Sequence, residues 1–275
     1  MYARFKINVD EIHKMVHNVI SNGGDMSPIV FDEGKKAAYK SLDYFTTGIN
    51  GSEKILIGTE LQNYVFPVGK DGNYDIFISH SHDDKDIAIS LATFLKRFGN
   101  FRVFLDSYVW KSADGLLQKI DDRYCRHRNG NYNYHRRNFS TAHIHAMLSM
   151  AIMDIINKTD CCIFIESNHS IKISALNNDN TAQTLSPWIY EEYAMMKLLP
   201  RRRSTKQLKT FSKAIGITES RELKIAYDAD MKLFMSLTCD DVLSLKNRYP
   251  ALEELYKRYD EYENQQYINK HAIQD

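Results

Sequence analysis

The chain has 275 residues, with 36 Lys plus Arg against 35 Asp plus Glu, so its formal charge of +1 at pH 7 argues against a general polyanion binder. Its 43% hydrophobic, 12% aromatic and 26% charged residues can fill a core, which excludes disorder throughout, and the length suits one large domain with an appendage.

The opening, MYARFKINVDEIHKMVHNVI, has acidic residues and no unbroken apolar core, so it reads as neither a signal peptide nor a membrane anchor. Ile12, Met15, Val16, Val19 and Ile20 recur at helical spacing up to Gly23-Gly24, and Ala37, Ala38, Leu42 and Phe45 suggest a second amphipathic helix. Residues 1–70 are therefore expected to form a small, mainly helical N-terminal extension. The turn chemistry of FPVGKDGN, Phe66 to Asn73, marks the boundary, and the main domain is expected over 71–265 with a tail over 266–275.

In that domain Tyr74 to Ser79 (YDIFIS) reads as a strand, Ile87 to Phe98 as a helix stopping at Gly99, and Phe101 to Leu105 (FRVFL) as a second strand. A long polar stretch, with an insertion at about 115–142, precedes a helix over His145 to Ile156. Cys161 to Ile165 (CCIFI) is apolar enough for a strand buried on both faces. Pro187 to Leu199 is a helix with proline where its missing N–H costs nothing; Leu223 to Tyr227 (LKIAY) is a fourth strand; and Asp241 to Tyr259 is a closing helix whose acidic start suits the dipole. Alternating strands and helices predict an α/β fold with a parallel sheet, and ligands there bind at the carboxyl ends of strands.

Several chemistries can be weighed on these elements. HSHDD, His80 to Asp84, half matches the H-x-H-x-D-H run of metallo-hydrolases, but Lys85 stands where the last imidazole should be; a polar loop in which Asp83 or Asp84 caps the next helix is the better reading, and no metal site is expected. Cys125, Cys161, Cys162 and Cys239 lack C-x-x-C spacing and activating neighbours, which suits structural thiols in a reducing cytoplasm. No glycine-rich phosphate loop follows the first strand, so any nucleotide must be held otherwise. NGNYNYHRRN, Asn129 to Asn138, has ring and cation content for stacking bases, yet a solvated insertion is the expected reading, and nucleic acid is not expected as a partner.

In SPWIYEEYAMM, Ser186 to Met196, Trp188 and Glu192 are spaced to share one helical face, an aromatic wall beside a carboxylate. Such a pair suits cleavage of a glycosidic bond whose leaving group is already cationic, because the carboxylate can face an oxocarbenium-like ribose. Spacing alone equally allows a surface glutamate beside a core indole. Glu191 competes with Glu192, but points about 100° away on a helix.

The order of YDIFISHSHDDKD, then VFLD leading into SYVWKSADG, then SPWIYEE resembles the Toll/interleukin-1 receptor (TIR) domain, in particular bacterial stand-alone members, from about Tyr74 to the C-terminal helix. That resemblance implies a flavodoxin-like three-layer fold with a central parallel sheet. It implies an enzyme that hydrolyses or cyclises NAD+, as substrate and with no cofactor, to nicotinamide and ADP-ribose or a cyclic ADP-ribose-type product. Glu192 is then the catalytic residue, and Trp188, His80, Ser81, His82, Asp106 and Trp110 are the binding residues, with Asp106 and Trp110 in the BB-loop region. Self-association through TIR domains, a sensor or effector partner, a cytoplasmic location and a role in immune or antiphage defence are implied likewise. The alternative is a non-enzymatic TIR module acting through homotypic contacts. Two departures stand out: the long insertion, and the missing first-loop arginine of some TIR enzymes, for which His82 or Arg137 are the substitutes.

Overall fold

The structure, a computed structural model, describes residues 2–29, 42–49, 53–66, 74–105, 107–173, 182–200 and 227–271. In chain order the elements are β1 (Ala3–Asn8), α1 (Val9–Ser21), β2 (Thr46–Ile49), β3 (Glu53–Leu56), α2 (Gly58–Val65), β4 (Ile76–Ser79), α3 (Lys85–Gly99), β5 (Val103–Leu105), α4 (Ser107–Ile120), α5 (Tyr134–Lys158), β6 (Cys161–Glu166), β7 (Lys172–Ile173), β8 (Ala182–Thr184), α6 (Pro187–Leu198), β9 (Tyr227–Asp228), β10 (Met235–Ser236), α7 (Cys239–Ser244) and α8 (Arg248–His271).

Five strands make one parallel sheet in the order β10-β1-β6-β4-β5, and the fold is α/β. Side chains alternate across a strand, so each face takes every second residue. Phe5, Ile7, Ile76, Ile78, Ile163 and Ile165 pack under α1, α3, α7 and α8. Phe77, Phe104, Cys162 and Phe164 pack under α2, α4, α5 and α6. Burial on both faces is why IFIS and CCIFI are continuous apolar runs. By length and composition α5 would also suffice to cross a membrane, but Ile144, Leu148, Ile152, Ile155 and Ile156 are buried in this core.

Residues 3–21 do not belong to a separate extension. β1 lies inside the parallel sheet, between β6 and β10, and α1 covers one face of it. Arg4 and Lys6 disguise the strand by alternating with buried Phe5 and Ile7. Both cations are held within the fold: Arg4 Nη1 lies 3.4 Å from Glu263 Oε1, and Lys6 Nζ 3.1 Å from Glu166 Oε2. Of the expected helix over Ala37 to Phe45, residues 37–41 lie outside the described residues and Leu42–Phe45 is a 3-10 turn. The boundary segment falls on 67–73, also outside them.

β4, α3, β5, β6 and α6 form where their patterns put them. Of the expected fourth strand, 223–226 lie outside the described residues; its last residue, Tyr227, begins β9, which pairs antiparallel with β8 in a small sheet of order β7-β8-β9. The stretch resembling a BB loop is helical as α4, and the insertion is largely helical too. α4 passes into a π-helical turn, Asp121–Cys125, and after the Arg126–Tyr132 bridge α5 starts at Tyr134. Buried Asp121 fixes that corner by accepting from Arg137 Nε at 2.9 Å and from Ser140 Oγ, while the Asn133 side chain caps α5 through Arg136 N at 2.9 Å. The closing helix is broken into α7 and α8 by a 3-10 turn at Leu245–Asn247, and residues 266–271 are the last turns of α8 rather than a tail. α7 has the acidic first turn expected for the dipole, Asp240 and Asp241, and in addition a Thr238–Asp241 capping box.

Candidate functional site

The connection from β4 to β5 runs through α3 on one face, and that from β5 to β6 through α4 and α5 on the other. The chain therefore switches direction between β4 and β6, and the carboxyl ends of these two strands border the crevice where open α/β sheets take ligands.

Ser79 ends β4 on the face of Phe77, toward α6. Its Oγ donates to Glu192 Oε2 at 2.6 Å, with Ser79 0% and Glu192 1% exposed. The placement of Glu192 follows from how α6 is anchored. Ser186 Oγ accepts from Ile189 N at 3.3 Å as the cap, Ser186 N donates to Thr184 Oγ1 of β8 at 3.2 Å, and Ile189, Tyr193 and Met196 enter the core. Glu192 shares their face and is carried inward with them. Trp188 is half-buried one turn earlier, and its indole meets the His145 ring of α5 edge-on, 5.0 Å between centroids at 82°. Partial desolvation lowers the His145 pKa, although the residue keeps an exposed side. Glu191 turns toward α5 as well; burial pushes its carboxyl up, and a hydrogen bond with Ser149 opposes that shift. Glu191 and Glu192 thus diverge, one to α5 and the other to β4.

In the loop after β4, His80 is buried, Ser81 half-buried and His82 exposed. The expected aspartate cap is not made. Asp84 stands at the start of α3, but its buried carboxylate makes no cap bond and accepts from Ser167 Oγ in the loop after β6 instead. Ser170 Oγ donates to Ile165 O at 3.0 Å and accepts from Ser167 N at 2.9 Å, and His169 Nδ1 lies 3.6 Å from Asp83 Oδ2. The two loops bordering the crevice are therefore fastened to each other. Asp106 lies outside the described residues, and Trp110 falls on α4. Arg137, expected along with His82 to stand in for a first-loop arginine, is engaged by Asp121 and lies over the Tyr132 ring at 5.1 Å.

Ser79 and Ser167 were not singled out by pattern. Each is a small polar residue at a strand end, and only the fold shows what faces it. Burial pushes the Cys162 thiol up to about 12, with the Glu192 charge adding to the rise, and burial likewise raises Cys161, Cys125 and Cys239. At neutral pH these thiols are protonated and poor nucleophiles. Among the described residues no group of three or more His, Cys, Asp or Glu converges as a metal site. In comparisons with known proteins, no family model, curated protein or solved structure matches the chain.

Proposed function

We propose that the chain is a TIR-type enzyme that breaks the bond between nicotinamide and ribose in NAD+. The bond from ribose C1′ to the pyridinium nitrogen breaks with both electrons going to nicotinamide, which leaves neutral. Water then adds to C1′ and loses a proton, giving ADP-ribose; an internal nucleophile gives a cyclic product. Because the leaving group starts as a cation, it needs no acid. What the protein must supply is negative charge beside the electron-poor sugar and a position that excludes bulk water.

The observation that carries this reading is the buried Glu192 carboxylate held by Ser79 at the carboxyl end of β4, beside the switch point. Order of elements lends support: β4, β5 and β6 take the first three places of a flavodoxin-like sheet of order 2-1-3-4-5, with β1 and β10 in the fourth and fifth. In this reading β1 stands in for a strand that would otherwise follow α6. A carboxylate this enclosed in one chain fits an enzyme that opens its crevice when copies assemble, in cytoplasmic immune or antiphage signalling with a sensor or effector partner.

Incubating concentrated protein with NAD+ and measuring free nicotinamide tests the proposal. Glu192→Gln is expected to lower release by about 10²-fold or more, with an unchanged melting temperature. Equal activity in the variant overturns the assignment. The burial of Glu192 also fits an interaction module that makes no product, which the same incubation identifies by the absence of nicotinamide from wild-type protein in every assembly state.

A further inference from the structure

We propose that Ser79 is the positioning residue of the Glu192 carboxylate, holding it ionised and fixing its plane for the reaction under Proposed function, on which this inference rests. Ser79 lies 113 positions from Glu192 in the chain, yet the O–H···O separation of 2.6 Å is in the range of a charge-assisted bond from a hydroxyl to a carboxylate. Neither residue is open to water, so solvent does not screen or replace this contact.

Two opposing effects act on Glu192. Enclosure disfavours the charged form, and a hydrogen bond donated to that form favours it. A carboxylate that is to face a ribosyl cation must be charged before nicotinamide leaves, because a protonated acid offers the sugar only a dipole. Ser79 supplies the second effect from β4, an interior strand hydrogen-bonded on both sides by β5 and β6. The hydroxyl belongs to the residue paired with Phe164 in the β4–β6 register, so β6 pins it from the side.

Several titratable groups on the neighbouring elements are engaged elsewhere or are weaker donors. The Cys162 thiol of β6, raised to about 12 by burial and by the Glu192 charge, is a weak donor. On α6 the neighbouring Glu191 turns to Ser149 of α5, and His145 of α5 engages the Trp188 ring. Asp84 is occupied by Ser167. His80 follows Ser79 directly in the chain and is buried with it.

The test compares Ser79→Ala and Ser79→Thr with wild type in the full chain. Nicotinamide release is followed across pH, and the Glu192 carboxyl stretch is followed in infrared difference spectra against Glu192→Gln. Ser79→Ala is expected to move the acid limb of the kcat profile to higher pH and lower kcat at pH 7 by about 10-fold, the worth of one charged hydrogen bond, with KM unchanged. The carboxyl titration should move upward in step. Ser79→Thr keeps the hydroxyl on a residue suited to a strand and restores both. An Ala profile and titration superimposable on wild type overturn the inference, whatever the activity. A wild type without activity overturns the parent reading instead, and the infrared titration then decides the positioning role by itself. Equal melting temperatures separate either result from misfolding.

Discussion

Phe5 of β1 stands directly opposite Ile163 of β6 in parallel register, and each is 1% exposed. Residues at the start of this sequence therefore form an interior strand of the main sheet. A chain beginning at residue 71 loses buried Ala3, Phe5, Ile7, Ile12, Met15 and Val19. At roughly 2 kcal/mol per large side chain this comes to about 10 kcal/mol, comparable with the whole stability of a domain, about 5–15 kcal/mol. We predict that this truncation abolishes the cooperative thermal transition in circular dichroism; a chain that still melts cooperatively would show that β1 is dispensable.

At the opposite end of the sheet, Asp75 is a buried hub. Its carboxylate accepts from Arg102 N at 2.7 Å, Arg102 Nη2 at 3.0 Å and Arg248 Nη2 at 2.8 Å, joining the start of β4 to the start of α8. Asp75→Ala leaves those donors without their acceptor and is expected to cost about 2 kcal/mol, read as a lower urea midpoint. Asp75→Asn keeps one acceptor oxygen and should lose less.

Gly99 closes α3 where no side chain fits. A Cβ there would stand 2.6 Å from the Phe101 ring and 2.9 Å from Leu245 O, and Phe101 is itself buried. Gly99→Ala is expected to destabilise by about 1–3 kcal/mol through overpacking, whereas Gly130→Ala, with nothing near its Cβ, carries only the strain of its positive φ. Thermal melts of the two variants make the comparison.

Glu191 gives the fold a pH dependence with a definite sign. Burial raises its carboxyl above the ordinary glutamate value, so the folded state holds the proton more tightly than the unfolded chain. That contribution is complete below the unfolded glutamate pKa and is lost as pH rises through the folded one. Glu191→Gln should therefore raise Tm at pH 7 and bring no gain near pH 4. A larger gain at pH 4 than at pH 7 reverses the sign and refutes the account.

Enclosure of Ser79 and Glu192 in the single chain bears on the kinetics of the proposed reaction. Activity per chain should rise more than linearly with protein concentration and fall on dilution, whereas a rate strictly proportional to concentration points to a crevice that opens without a second copy.

Elements with one strong local pattern were legible in the sequence. CCIFI and IFIS are apolar throughout because both faces are covered, and SPWIYEEY carries its own cap and proline. β1 was not legible because Arg4 and Lys6 look solvent-facing, and their partners Glu263 and Glu166 lie far along the chain. α4 and the first turns of α5 were missed for different reasons. The stretch of α4 reads as a loop through its likeness to a BB loop, and at the start of α5 Tyr134, His135, Arg136, Arg137, Asn138 and Phe139 are all exposed, so no apolar period stands out there. At the candidate site, Trp188 and Glu192 were identified from spacing on one helix, but the bond from Ser79 depends on the register of a distant strand.

The pairing of Phe5 with Met235 also has a consequence for synthesis. β1 leaves the ribosome more than two hundred residues before its partner β10, so that edge of the sheet closes only after β10 has been made. Phe5 and Ile7 can be covered by α1 at once, but they gain the flanking strands β6 and β10 only later, and a holdase that binds short apolar segments would meet them in the interval.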